Sequence, residues 1–152
     1  MHQLTTTLNH IRAYNPCPYS WKILLRYLNK TNTDNEPLLL STIVKSNGLN
    51  DALWCCGIEP QYKHKLLLFN IWRINQMRHL IKDQRGITAI NYIEQYVNTQ
   101  SNTTNIVFAW DVIWNIMLND IGSVTMADAI AAQREKFLEI CDGRDIEVDY
   151  NN

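Results

Sequence analysis

No catalytic signature occurs anywhere in these 152 residues. There is no G-x-S-x-G nucleophile elbow, no P-loop, no G-x-G-x-x-G turn and no H-E-x-x-H zinc helix. The four histidines (His2, His10, His64 and His79) have no second ligand-type residue at a metal-binding spacing. Among the four cysteines, Cys55 and Cys56 adjoin, Cys17 and Cys141 stand apart, and no C-x-x-C pair exists. Zinc needs converging ligands, most often from such pairs, so these cysteines read as free thiols, buried in a reducing compartment. No stretch approaches the ~20 apolar residues of a membrane span. The start, "MHQLTTTLNHIR", holds no apolar run, so no signal peptide is expected and the location expected is the cytoplasm. Charged residues are few, at 19%, and the formal net charge is −1, so the molecule as a whole does not attract nucleic acid. Glycine (five) and proline (four) are scarce and mostly punctuate apolar-periodic segments. Alternating β patterns are hard to find.

Helical spacing is what the chain does contain. Leu4, Leu8 and Ile11 share a face of a helix over Leu4–Ala13. Ser20 is placed to cap a second helix, on which Trp21, Leu24, Leu25 and Leu28 follow at i, i+3, i+4, i+7. A polar loop, "NKTNTDNEP", precedes a third helix from Leu38 to Lys45, which stops where Gly48 can take a left-handed cap. A short fourth helix starts at Asn50 or Asp51. The fifth, Gln61–Ile81, carries Leu67, Ile71, Ile74, Met77 and Ile81 on one stripe, widened by neighbours into an almost all-round apolar helix. In "KDQR", Asp83 can cap a sixth helix over Ile87–Val97 while Arg85 pairs back to a carboxylate. Residues 106–118 form a seventh, and Thr125–Cys141 an eighth with Ala127, Ile130, Arg134, Phe137 and Cys141 on one face. The expectation is an all-α, compact single-domain bundle of about eight helices over 1–141, with no β-sheet, then an acidic frayed tail over 142–152. Trp21 and Trp54, flanked by apolar residues, are expected as core anchors.

Two stretches stand out as binding surfaces. "IVFAWDVIWNIML" is apolar except for Asp111 and Asn115, which stack four residues apart. It reads either as the central core helix or as an interface with another chain in which Phe108, Trp110 and Trp114 are the anchors and Asp111 and Asn115 the polar edge. From Lys63 to Arg85 there are six lysines and arginines against one acid. Arg73, Arg78, His79 and Lys82 there could meet an acidic protein surface or a nucleic-acid backbone. Without glycine between the bases and without a reading motif the nucleic-acid signal is weak, so nucleic acid is expected only as part of a complex. No cofactor is called for, a homodimer is an open option, and a non-enzymatic role fits best.

The pattern N-P-C … W-x-x-L-L-x-x-L-x-K-T … D-x-E-P-L … S-N-G-L-x-D-A-L-W-C, followed by H-L-x-x-D-x-R, resembles that of small phage and bacterial proteins. It is carried by Asn15, Pro16, Cys17, Trp21, Ser46–Leu49, Asp51–Cys55, His79, Leu80, Asp83, Arg85 and Tyr96. The resemblance implies an all-helical protein of mobile elements with no enzymatic assignment. By analogy, it implies a protein that binds a host protein machine and inhibits or redirects it, with anti-CRISPR or other anti-defence action as the sharpest version.

Overall fold

The structure, a computed structural model, describes residues 2–99 and 123–147. Its elements are mostly helices, with one small sheet that corrects the expectation of none. Thr5–Thr6 (β1) pairs antiparallel with Leu38–Leu39 (β2), Thr5 opposite Leu39 and Thr6 opposite Leu38. The cause is the run Thr5-Thr6-Thr7. β-Branched side chains lose χ1 freedom in a helix and sit well on extended backbone. Thr7 then starts the first helix, α1 (Leu8–Ala13), by accepting the His10 N–H on its Oγ1 at 3.1 Å. Leu8 and Ile11 are buried, as their helical spacing foretold; Leu4 is buried too, but from extended backbone ahead of β1, because the expected helix over Leu4–Ala13 starts only at Leu8. Leu4 is also pinned through its backbone. Its N–H donates to the Cys141 carbonyl and its own carbonyl accepts the Leu40 N–H, both at 2.9 Å.

Helix α2 (Pro18–Leu28) begins earlier than expected, with Cys17 rather than Ser20 at its N-cap. Pro18 explains the shift, because its fixed φ and missing N–H suit the first helical position. Asn29, in the left-handed conformation at φ 53°, closes α2 by a Schellman motif. Its N–H donates to the Arg26 carbonyl at 3.1 Å and the Lys30 N–H to the Leu25 carbonyl at 3.0 Å. The loop that follows is clipped by Lys30, whose Nζ donates to Asp34 and to Glu36 at 2.8 Å each. Helices α3 (Leu40–Asn47) and α4 (Leu49–Gly57) meet at Gly48, whose φ of 93° only glycine adopts readily. Helix α3 packs against both α2 and α4.

After a 3-10 turn at Pro60–Tyr62 comes α5 (Lys63–Met77), and after a second at Arg78–Leu80 comes α6 (Gln84–Thr99). Asp83 caps α6 as the sequence suggested: its Oδ1 accepts the Arg85 N–H at 2.8 Å. Arg85 pairs back to the same carboxylate, Nη2 to Oδ2 at 2.8 Å. Hydrogen bonds from Arg85 hold that carboxyl below its usual range. On α5, Phe69, Ile71 and Ile74 are buried, and the Phe69 ring stacks on Trp72 with centroids 6.2 Å apart.

The last helix is α7 (Ser123–Cys141). Its expected face holds only toward the end. Phe137 and Cys141 are buried, whereas Ala127 is exposed and Ile130 is 43% exposed. The buried line is instead Gln133, Phe137, Ile140 and Cys141, at i, i+4, i+7, i+8. Gly143, at φ 94°, ends α7 in a second Schellman motif, with its N–H on the Ile140 carbonyl at 2.9 Å and the Arg144 N–H on the Glu139 carbonyl at 3.1 Å.

The chain divides into two compact units, Met1–Leu66 with Arg134–Ile146, and Leu67–Gln133 with Glu147–Asn152. The first unit therefore joins the start of the chain to the end of α7. The start of the tail, through Arg144, is tied by the cap of α7. The seventh expected helix, residues 106–118, and the tail beyond Glu147 lie outside the described residues. No helix among the described residues is long and apolar enough to cross a membrane.

Candidate functional site

A pocket of about 280 Å³ opens on the first unit among α1, α2, α3 and α4. Helical spacing builds it. Cys17, Ser20, Trp21 and Leu24 lie at i, i+3, i+4, i+7 on one face of α2, and Asn50, Asp51, Trp54 and Cys55 line the opposite wall from α4. Ile43 and Asn47 of α3, with Ile11 of α1, complete the lining. Most of the residues that carry the resemblance pattern in the first half of the chain converge here: Pro16, Cys17, Trp21, Asn47, Asp51, Trp54 and Cys55.

Asn47 sets the geometry of the walls. Its Nδ2 donates to the Ser20 carbonyl of α2 at 2.8 Å and to Asp51 Oδ2 of α4 at 3.1 Å, while its Oδ1 accepts from the Ser46 hydroxyl at 2.7 Å. One amide thus clamps three helices, which is the structural task of the S-N-G-L-x-D segment.

Trp54 was expected in the core. It is 42% exposed at the pocket, and Trp21 is half-buried. The correction follows from the shortness of α4. Ala52, Cys55 and Cys56 take its buried face, and Trp54 falls on the far side at ~100° per residue. Small residues reach the core closely there, and the large one is left at the surface.

The thiols differ by environment. Burial pushes Cys55, Cys56 and Cys141 up to about 12, so they are inert as nucleophiles near neutral pH. Cys17, expected to be buried with them, is exposed. Backbone N–H groups, of Ser20 first and then Tyr19, hold its thiol below the ordinary range at the start of α2. No group of three or more His, Cys, Asp or Glu among the described residues could hold a metal ion.

A second polar cluster, around Glu59, holds the first unit together. Glu59 is 7% exposed. Its Oε1 accepts the Thr6 hydroxyl at 2.7 Å and lies 2.5 Å from His10 Nδ1, and its Oε2 accepts from Gln61 Nε2 at 3.0 Å. Burial alone would raise this carboxyl, but the hydrogen bonds from Thr6, His10 and Gln61 outweigh it and the group titrates below its usual range. A depressed folded-state value contributes stability above the unfolded-state value, and that stability is lost as pH falls through the folded value. Glu59→Gln is expected to destabilise at neutral pH, by about 1–3 kcal/mol. The gap from wild type should narrow as pH drops below the ordinary glutamate range, read by urea denaturation at a series of pH values.

The basic stretch does not form one solvated face. Arg73 is 5% exposed, its guanidinium 5.0 Å from the Phe69 ring centroid and hydrogen-bonded to Asn70 Oδ1. On a helix apolar over most of its circumference, a base one turn from Phe69 is drawn in with the ring, so Arg73 leaves the binding set. Arg78 is half-buried, and His79 and Lys82 are exposed. The other proposed anchors, Phe108, Trp110, Asp111, Trp114 and Asn115, lie outside the described residues. The pocket itself was not singled out in the sequence, although the four-residue face of α2 was there to be read. No protein-family model, no curated protein and no solved structure matches the chain.

Proposed function

We propose that the protein is a non-enzymatic binding module that docks on another protein through the pocket between α2 and α4. The single observation that carries this reading is Trp54, an indole left 42% exposed beside a mainly apolar pocket of about 280 Å³. Tryptophan is enriched among the residues that dominate binding energy, and such anchors seat in small apolar pockets ringed by polar groups. Asn47, Asn50 and Asp51 supply the polar ring here. The lining has one charged residue, Asp51, and no histidine, lysine or glutamate beside it, which favours recognition over catalysis. The phage-type resemblance makes the partner a host protein machine that is inhibited or redirected, with anti-defence action, including anti-CRISPR action, as its most specific form.

The test is retention of partner by wild type and by Trp54→Ser on a bacterial lysate column. The variant is expected to lose a protein that wild type retains, with folding stability changed by less than ~0.5 kcal/mol as for a surface site. Equal retention by the two chains would remove the pocket from the account.

A further inference from the structure

We infer that the pocket is built to receive the guanidinium of an arginine from the docked partner. This rests on the reading that the pocket is the docking surface. Asp51 is the one charged residue among the twelve that line it. Among the described residues it forms no ion pair, and its Oδ2 accepts the Asn47 amide at 3.1 Å. Asp51 and Trp54 are i, i+3 neighbours on α4, so the carboxylate and the exposed indole stand side by side, with Trp21 in the lining from α2. Indole faces attract cations, and arginine, being planar, both stacks on them and matches a carboxylate with two parallel donors.

Charge complementarity selects among the occupants. An anion would meet the Asp51 carboxylate. A neutral apolar side chain would close the pocket over that carboxylate and strip its water with little in return. A guanidinium answers both walls at once, donating to Asp51 while lying against tryptophan. The volume, about 280 Å³, suits one long side chain and falls just below the range for small-molecule sites, ~300–1,000 Å³.

The probes are N-acetyl-arginine amide and its neutral isostere, N-acetyl-citrulline amide, titrated into isotope-labelled protein while the indole N–H signals of Trp21, Trp54 and Trp72 are followed. The expected result is saturable shifts at Trp54 and Trp21, absent at Trp72. Citrulline should bind roughly threefold to tenfold more weakly. Asp51→Asn should erase the preference, and Asp51→Glu, which keeps the charge, should keep it even if the Asn variant fails to fold. Equal binding of the two probes, a preference that survives Asp51→Asn, or no saturable arginine binding each overturns the inference. If arginine preference is absent while Trp54→Ser still abolishes partner retention, the docking surface stands and only the choice of occupant falls. If Trp54→Ser leaves retention intact, the docking reading itself fails.

Discussion

Phe137→Ala is expected to destabilise the protein by about 3–5 kcal/mol, a loss visible as a large drop in the urea midpoint. Phe137 is 1% exposed, on a face of α7 that also buries Gln133, Ile140 and Cys141. Removing the ring forfeits its transfer free energy and leaves a cavity that neighbours fill only in part. The prediction discriminates because Phe137 follows a stretch of α7 whose Ala127 and Ile130 face solvent. If the end of α7 were an appendage of the fold, truncation there would cost no more than a surface change, within ~0.5 kcal/mol. Ile130→Ala provides the control and should fall within that range.

Gly143→Ala is expected to cost about 2–4 kcal/mol, from two separable causes. At φ 94° an L side chain is strained, by about 1–2 kcal/mol. A Cβ there would also stand 2.7 Å from the His2 carbonyl oxygen and 3.1 Å from the His2 N and C atoms, all backbone with no flexible end to give way. Removing residues 1–3 should leave only the conformational part. A cycle of the four chains therefore measures the contact between the two ends of the first unit as a non-additive remainder. If the substitution costs the same in full-length and shortened chains, the two ends do not meet as described.

Long helices with clear periodicity were legible in the sequence. The faces of α1 and α5 held at Leu8, Ile11, Ile71 and Ile74, and the cap at Asp83 and the turn at Gly48 could be named from residue type. The sheet was not legible, because two-residue strands 33 positions apart leave no alternation to detect, although Thr5-Thr6-Thr7 argued against helix. Trp54 went astray because hydrophobicity ranks tryptophan above alanine and cysteine, whereas a nine-residue helix buries whichever stripe fits closely. Arg73 went astray because a charge on a nearly all-apolar helix has no preferred side in a periodicity plot, while the structure supplies Phe69 and Asn70 as partners. The pocket was hidden because its two walls come from faces that are each half apolar and half polar. Cys17, Ser20, Trp21 and Leu24 make sense as a surface only when Asn50, Asp51 and Trp54 stand opposite.

The central claim is that this pocket is where another protein binds, and site-specific photocrosslinking tests it most directly. A benzoylphenylalanine replaces Asn50, exposed at the pocket rim, or Tyr27, 55% exposed elsewhere on α2, and bacterial cells expressing each chain are irradiated. The account predicts a discrete adduct from position 50 that disappears when Trp54→Ser is added, and none from position 27. No adduct from position 50, the same adduct from both positions, or one that survives Trp54→Ser would contradict it.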